Sequence, residues 1–155
     1  MDHETYMARA VAACRLGISE GQSPFGSVIV RGGRILAEAH NTVWRDTDPT
    51  AHAEVNALRL ACRSLGSIDL SGAVLYTTCE PCPMCLAASH WARVSLVVFG
   101  ASIADAADAG FTELGVPAGE LARLGGSPLV VEPGPLRDDC RALFGEWKAA
   151  RGRPY

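Results

Sequence analysis

Apolar residues at Met7, Val11, Cys14 and Ile18 recur at spacings of four, three and four, the period of one helix face, and predict a helix over residues 2–20. Residues 25–30 run largely apolar, Arg31-Gly32-Gly33-Arg34 breaks the run, and residues 35–40 alternate. Paired glycines supply the positive φ angles of a tight turn, so this stretch predicts a β-hairpin. A polar loop over 46–50 leads into a helix over about 52–65, with Val55, Leu58, Cys62 and Leu65 on one face. Residues 73–77 predict a strand, 81–93 a helix, and 94–99 an apolar strand of the kind covered on both faces and paired in parallel.

After Gly100 the pattern weakens. Residues 100–127 predict one short helix near 119–124, and 129–131 an edge strand. Leu136, Cys140, Leu143, Trp147 and Ala150 mark a last helix, with Asp138 and Asp139 early, Lys148 and Arg151 late, and Gly152 as its stop. Helices alternating with strands after an opening hairpin predict an α/β fold: a three-layer α/β/α sandwich around a mixed central sheet of about five strands.

The 155 residues amount to one domain, read as 1–155, with 136–155 as a C-terminal helix and tail placed to close a site. A hydrophobic fraction of 48% and a charged fraction of 20% exclude a disordered chain. The apolar runs fall far short of the ~20 residues that span a bilayer, and no basic leader precedes one, so the expectation is a cytoplasmic protein without a membrane partner. Seventeen acids against fourteen bases give a net charge of −3, which argues against a nucleic-acid partner held through phosphates. Six cysteines without an export signal suggest a reducing compartment, where clustered thiols serve as metal ligands more often than as disulfides.

Two short motifs fall at the starts of the two central helices: His52-Ala53-Glu54 and Pro81-Cys82-Pro83-Met84-Cys85. Cysteines three apart share one side of a helix, and a helix N-terminus favours the thiolate that binds zinc. His52 completes a Cys₂His set with Cys82 and Cys85, leaving a fourth zinc position for water, the catalytic arrangement. His52 and Glu54 share a site only if they occupy the first turn, with Thr50 as the expected cap. The spacing matches H-x-E…P-C-x-x-C, the signature of zinc nucleobase deaminases, in which the glutamate shuttles protons and binds no metal. A Cys₃ or Cys₃His structural site including Cys79, and a redox Cys82/Cys85 pair, are the alternatives. Cys14, Cys62 and Cys140 read as core thiols, and Trp91 and Trp147 as core or interface aromatics.

These residues resemble the cytidine-deaminase-like superfamily over nearly the whole chain. Residues 48–54 and 79–85 are similar to its purine-deaminating branch, which includes bacterial guanine deaminases and the tRNA adenosine deaminases. The opening residues 1–5, Trp91-Ala92-Arg93, the stretch from Asp105 to Phe111, Trp147 and Tyr155 resemble the guanine-deaminating group. That resemblance implies one Zn²⁺ per chain, a free purine substrate, and hydrolysis of guanine to xanthine and ammonia, with tRNA adenosine, or another amino-purine or pyrimidine base or nucleoside, as the alternative substrates. It implies Glu54 and Glu113 as catalytic carboxylates. Phe25, Asn41, Ala53, Glu113 and Tyr155 are its implied substrate contacts. It also implies a homodimer in which the C-terminal segment is swapped into the neighbour's site. An acidic residue usually follows the Gly-Phe pair directly; here Thr112 stands there and Glu113 is the nearer match.

Overall fold

The structure, a computed structural model, describes residues 2–155. Met1, part of the opening stretch that carries the resemblance, lies outside the described residues. In chain order the elements are α1 (His3–Ser19), β1 (Gly26–Arg31), β2 (Arg34–His40), α2 (Val43–Asp46), α3 (Ala53–Leu65), β3 (Ala73–Cys79), α4 (Pro83–Trp91), β4 (Leu96–Ala101), α5 (Ile103–Ala109), α6 (Ala118–Leu124), β5 (Val130–Pro133) and α7 (Arg137–Ala149).

The five strands form one sheet in the order β2-β1-β3-β4-β5. β1 is antiparallel to both β2 and β3, while β4 is parallel to both β3 and β5. The β1–β2 turn takes φ 58° at Gly32 and 78° at Gly33, as the paired glycines predict. Successive residues of the central strands feed opposite cores. Tyr76 and Val98 join Met7, Val11 and Leu143 beneath α1, α5 and α7, whereas Leu75 and Val97 join Leu58 and Leu86 beneath α3, α4 and α6. The sheet is mixed and covered on both faces, so the expected three-layer sandwich is observed.

Three local readings need correction. α5 is absent from the sequence reading, although Ser102 and Asp105 form a full capping box at its start. α4 begins at Pro83, which occupies the first helical position where a missing N–H costs nothing; Pro81 precedes the helix. Thr50 does not cap α3: its N–H and hydroxyl both donate to Asp48 Oδ1, and His52 is the residue before the helix. Of the two tryptophans read as core or interface aromatics, Trp147 is buried in the core and Trp91 is 80% exposed.

One close approach fixes α1 against the sheet. A Cβ on Gly26 would stand 2.2 Å from the Ala10 carbonyl oxygen and 2.5 Å from the Cys14 amide nitrogen, both rigid backbone. Gly26→Ala is therefore expected to destabilise the fold by about 3 kcal/mol, the upper end of ordinary overpacking. That corresponds to a thermal midpoint lower by roughly 6–12 °C. Gly145, exposed within α7 with nothing near its Cβ direction, gives the opposite result. Gly145→Ala should add about 0.5–1 kcal/mol through helix propensity, and thermal melts of both variants check the pair.

Candidate active site and metal centre

Ligands of α/β sheets collect at the carboxyl ends of parallel strands, and here β3 and β4 end beside the starts of α3 and α4. His52 and Cys82 each stand one residue before a helix, in extended conformation at φ/ψ of −67°/157° and −63°/164°. Neither side chain caps its own helix. Both turn instead toward a common point. Nδ1 of His52 lies 3.7 Å from Cys82 Sγ and 3.4 Å from Cys85 Sγ, and the three donor atoms all fall within 4.8 Å of one another. The extended backbone at His52 also resolves the two-residue spacing of His52 and Glu54, since only Glu54 is inside the helix.

The donor chemistry suits zinc. Bond lengths of about 2.3 Å to sulfur and 2.0–2.1 Å to nitrogen place tetrahedral donors roughly 3.5–3.8 Å apart, close to the observed separations. The Cys82 thiol is held well below its ordinary range, first by its hydrogen bond with Cys85 and then by His52, so it favours the ligating thiolate. Cys79 is turned away, its Sγ donating to the Ser102 carbonyl at 3.6 Å, and burial pushes its thiol up. Among the described residues the metal-compatible set is His52, Cys82 and Cys85 alone. A three-cysteine site thus lacks its third sulfur.

Glu54 is buried beside this set. Its Oε1 accepts from Thr77 Oγ1 at 3.3 Å, and Thr77 in turn accepts from Ser27 Oγ at 3.1 Å. Its Oε2 lies 3.4 Å from Cys85 Sγ, and burial pushes the carboxyl up from its usual range. Glu113 is half-buried on the loop between α5 and α6. Its Oε2 is buried with no hydrogen-bond partner, and burial followed by the charges of Cys82 and Glu54 pushes the carboxyl up to about 7. It is not a solvated loop acid.

The remaining sequence-derived positions divide. Phe25 is buried edge-on to Phe111 at 4.9 Å and borders a small space shared with Glu54, Cys82 and Glu113. Asn41 is fully buried. Its Oδ1 accepts from the Val43 amide, the local turn bond, while its Nδ2 donates to the Tyr155 hydroxyl at 2.7 Å. Tyr155 is packed, not frayed: its ring centroid lies 5.7 Å from that of His52 and 5.9 Å from that of Phe111. Ala53, the first residue of α3, is wholly buried between His52 and Glu54.

Trp44 was missed by sequence reasoning. Its indole N–H donates to the Arg153 carbonyl at 3.2 Å, and the Arg153 guanidinium lies 3.7 Å over its ring, latching the tail that carries Tyr155. No local pattern announces a contact across 109 residues. His52, Cys82, Phe111, Glu113 and Tyr155 border a cavity of about 240 Å³. A larger groove of about 700 Å³ runs past Trp91 and Leu129 near the amino ends of β3 and β4, away from these groups.

Residues 1–101 match the cytidine and deoxycytidylate deaminase zinc-binding region. The chain is 52% identical to a guanine deaminase of Bacillus subtilis (strain 168) over 114 residues, 73% of each protein. It is 44% identical to a tRNA-specific adenosine deaminase of the same organism over 98 residues, 63% of this chain and 61% of that enzyme. A solved guanine deaminase from Nitrosomonas europaea superposes with a TM-score of 0.86 at 31% identity, covering 94% of this chain and 84% of that one.

Replacement of His52, Cys82 or Cys85 by alanine should lower zinc affinity by more than the ~10–100-fold that loss of an outer partner costs. Cys79→Ala should retain a full complement. Metal analysis after dialysis against a mild chelator distinguishes the two outcomes.

Proposed function

The chain belongs to the cytidine and deoxycytidylate deaminase family, zinc-dependent hydrolases of C–N bonds, and from that premise we propose that it converts guanine and water to xanthine and ammonia. The observation that carries this substrate is Glu113 Oε2, a buried acceptor without a partner, bordering a cavity of about 240 Å³ beside the three donors. Guanine presents two adjacent donors, its ring N1–H and its exocyclic amino group, and a carboxylate is the acceptor that reads such an edge. The cavity lies below the ~300–1,000 Å³ common for drug-sized ligands, a size that favours a bare heterocycle over a nucleotide within RNA.

His52, Cys82 and Cys85 are the proposed zinc ligands, and zinc at such a site supplies Lewis acidity that makes water nucleophilic near neutral pH. Glu54, with Oε1 steadied by Thr77, takes a proton from the water and delivers protons to the ring and then to the departing amine. One C–O bond forms, one C–N bond breaks, and the carboxylate ends as it began. Phe25 and Phe111 wall the base, Glu113 reads its edge and assists proton transfer, and the Asn41–Tyr155 pair closes the remaining side.

Kinship with guanine deaminases at 52% identity over 73% of the chain supports this reading. Of the four bases of the last helix and tail, Arg141, Lys148, Arg151 and Arg153, two are engaged internally, Arg141 with Asp105 at 3.0 Å and Arg153 with Trp44. Cytoplasmic residence fits six unpaired cysteines; no helix among the described residues is long and apolar enough to cross a membrane. A homodimer is part of the proposal. The segment that carries Tyr155 is its proposed closing element, on the same chain or exchanged with the neighbour.

Ammonia release from guanine, adenine, cytosine, their nucleosides and tRNA tests the substrate. Guanine is expected to turn over fastest, and preferential turnover of tRNA would replace this reading. Glu54→Ala should keep its zinc and thermal midpoint while kcat falls by roughly 10²–10⁴-fold; substantial residual turnover would exclude the shuttle.

A further inference from the structure

Glu80 lies between the strand that ends at Cys79 and the ligand turn that begins at Pro81, and the mechanism above gives it no part. Its backbone N–H donates to the Ala101 carbonyl at 2.8 Å, which ties the end of β3 to the end of β4. Its half-buried carboxylate reaches two separate helix starts. Oε1 accepts from the Ala118 N–H at 2.8 Å, and Oε2 accepts from the Ile103 N–H at 3.2 Å.

Those are the first residues of α6 and α5, where backbone N–H groups have no partner within the helix. Ser102 takes the Asp105 N–H of α5, leaving that of Ile103, and Pro117 before α6 makes no side-chain cap at all. Residues 110–117 connect the two helices and carry Phe111 and Glu113. A hydrogen bond from N–H to an ionised carboxylate is about twice as strong as a neutral one.

We infer that Glu80 is a positioning residue: its carboxylate clamps both flanks of the 110–117 loop to the ligand turn, and so sets where Glu113 stands relative to His52, Cys82 and Cys85. The inference rests on the reading of Glu113 as the group that faces the substrate. Substrate selection and metal binding are then mechanically joined through one side chain that touches neither substrate nor metal. An aspartate at this position is too short to span both amides, and a glutamine presents N–H₂ to one of them.

Glu80→Gln in the zinc-loaded protein is the first test, read by backbone hydrogen exchange and by guanine kinetics. Exchange at Ile103 and Ala118 should accelerate, zinc content should remain at the wild-type level, and kcat/KM for guanine should fall roughly 10–100-fold, the worth of a charge-assisted hydrogen bond. In a Glu113→Gln background the same substitution should cost less than about threefold, because a clamp acting through Glu113 has nothing further to misplace. Full multiplication of the two losses, or unchanged exchange at both amides, overturns the inference.

Ile103→Pro separates the hydrogen bond from the charge and stands in if Glu80→Gln does not fold. It deletes one donor, keeps the carboxylate, and suits a first helical position preceded by Ser102 at ψ 166°. Faster exchange at Ala118 and a smaller loss in kcat/KM support the clamp; no change in either overturns it. Should the wild-type protein not deaminate guanine while Glu80→Gln still loosens the loop, the substrate reading falls and the clamp stands.

Discussion

The helices α3 and α4 begin with residues whose side chains turn away from capping toward each other. An N-cap side chain ordinarily satisfies one of the free N–H groups of the first turn, for about 1 kcal/mol. At α3 and α4 the N-cap residues are His52 and Cys82, extended in backbone and turned toward each other. That forgone capping gathers three soft donors at one point, and the surrounding structure serves to hold it. Parallel pairing of β3 with β4 brings the strand ends level. Pro83 fixes the start of α4. Asn56 braces the other side, its amide within 3.2 Å of the His40 and Ala51 carbonyls and of Thr42 Oγ1, so that the residue before His52 and the residue before Asn41 move together.

The wall opposite the donors is built from distant parts of the chain. Phe25 from the start of β1, Phe111 from the loop after α5, Phe144 and Trp147 from α7 and Tyr155 from the tail pack in one aromatic group. The tail reaches it through Gly152. A Cβ there would lie 1.9 Å from the Trp147 indole nitrogen, so only glycine lets the chain fold back over that ring. The Trp44–Arg153 latch then directs Tyr155 onto Asn41. The same glycine that reads from sequence as the end of a helix therefore shapes the closing segment.

What could be read from the sequence divides by range. The sheet, its two coverings and the parallel β4 follow from periodicity, and Val97 and Val98 point into opposite cores as an apolar central strand requires. The metal set was legible because ligand spacing is local: the extended residue before a helix and the i, i+3 pair on it can be read over four positions. α5 was legible in principle through Ser102 and Asp105, but its alanine-rich face carries little periodic signal. The roles of Glu80, Trp44 and Thr77 were not legible, since each depends on a partner more than twenty residues away.

Charge explains why these distant groups belong together. Glu54 and Glu113 stand buried or half-buried near two sulfurs, and each carboxyl is pushed up by burial, with Cys82 among the further causes. Burying carboxyl groups beside thiolates is costly unless positive charge compensates, and within the protein the His52 imidazole is the charge that opposes the shift of both acids. A divalent ion on His52, Cys82 and Cys85 offsets that excess where the sulfurs concentrate it. It leaves Glu54 outside the ligand set, with one oxygen held by the Thr77 hydroxyl. The buried acid, the two cysteines and the imidazole are thus electrostatically coupled, each among the causes that shift another.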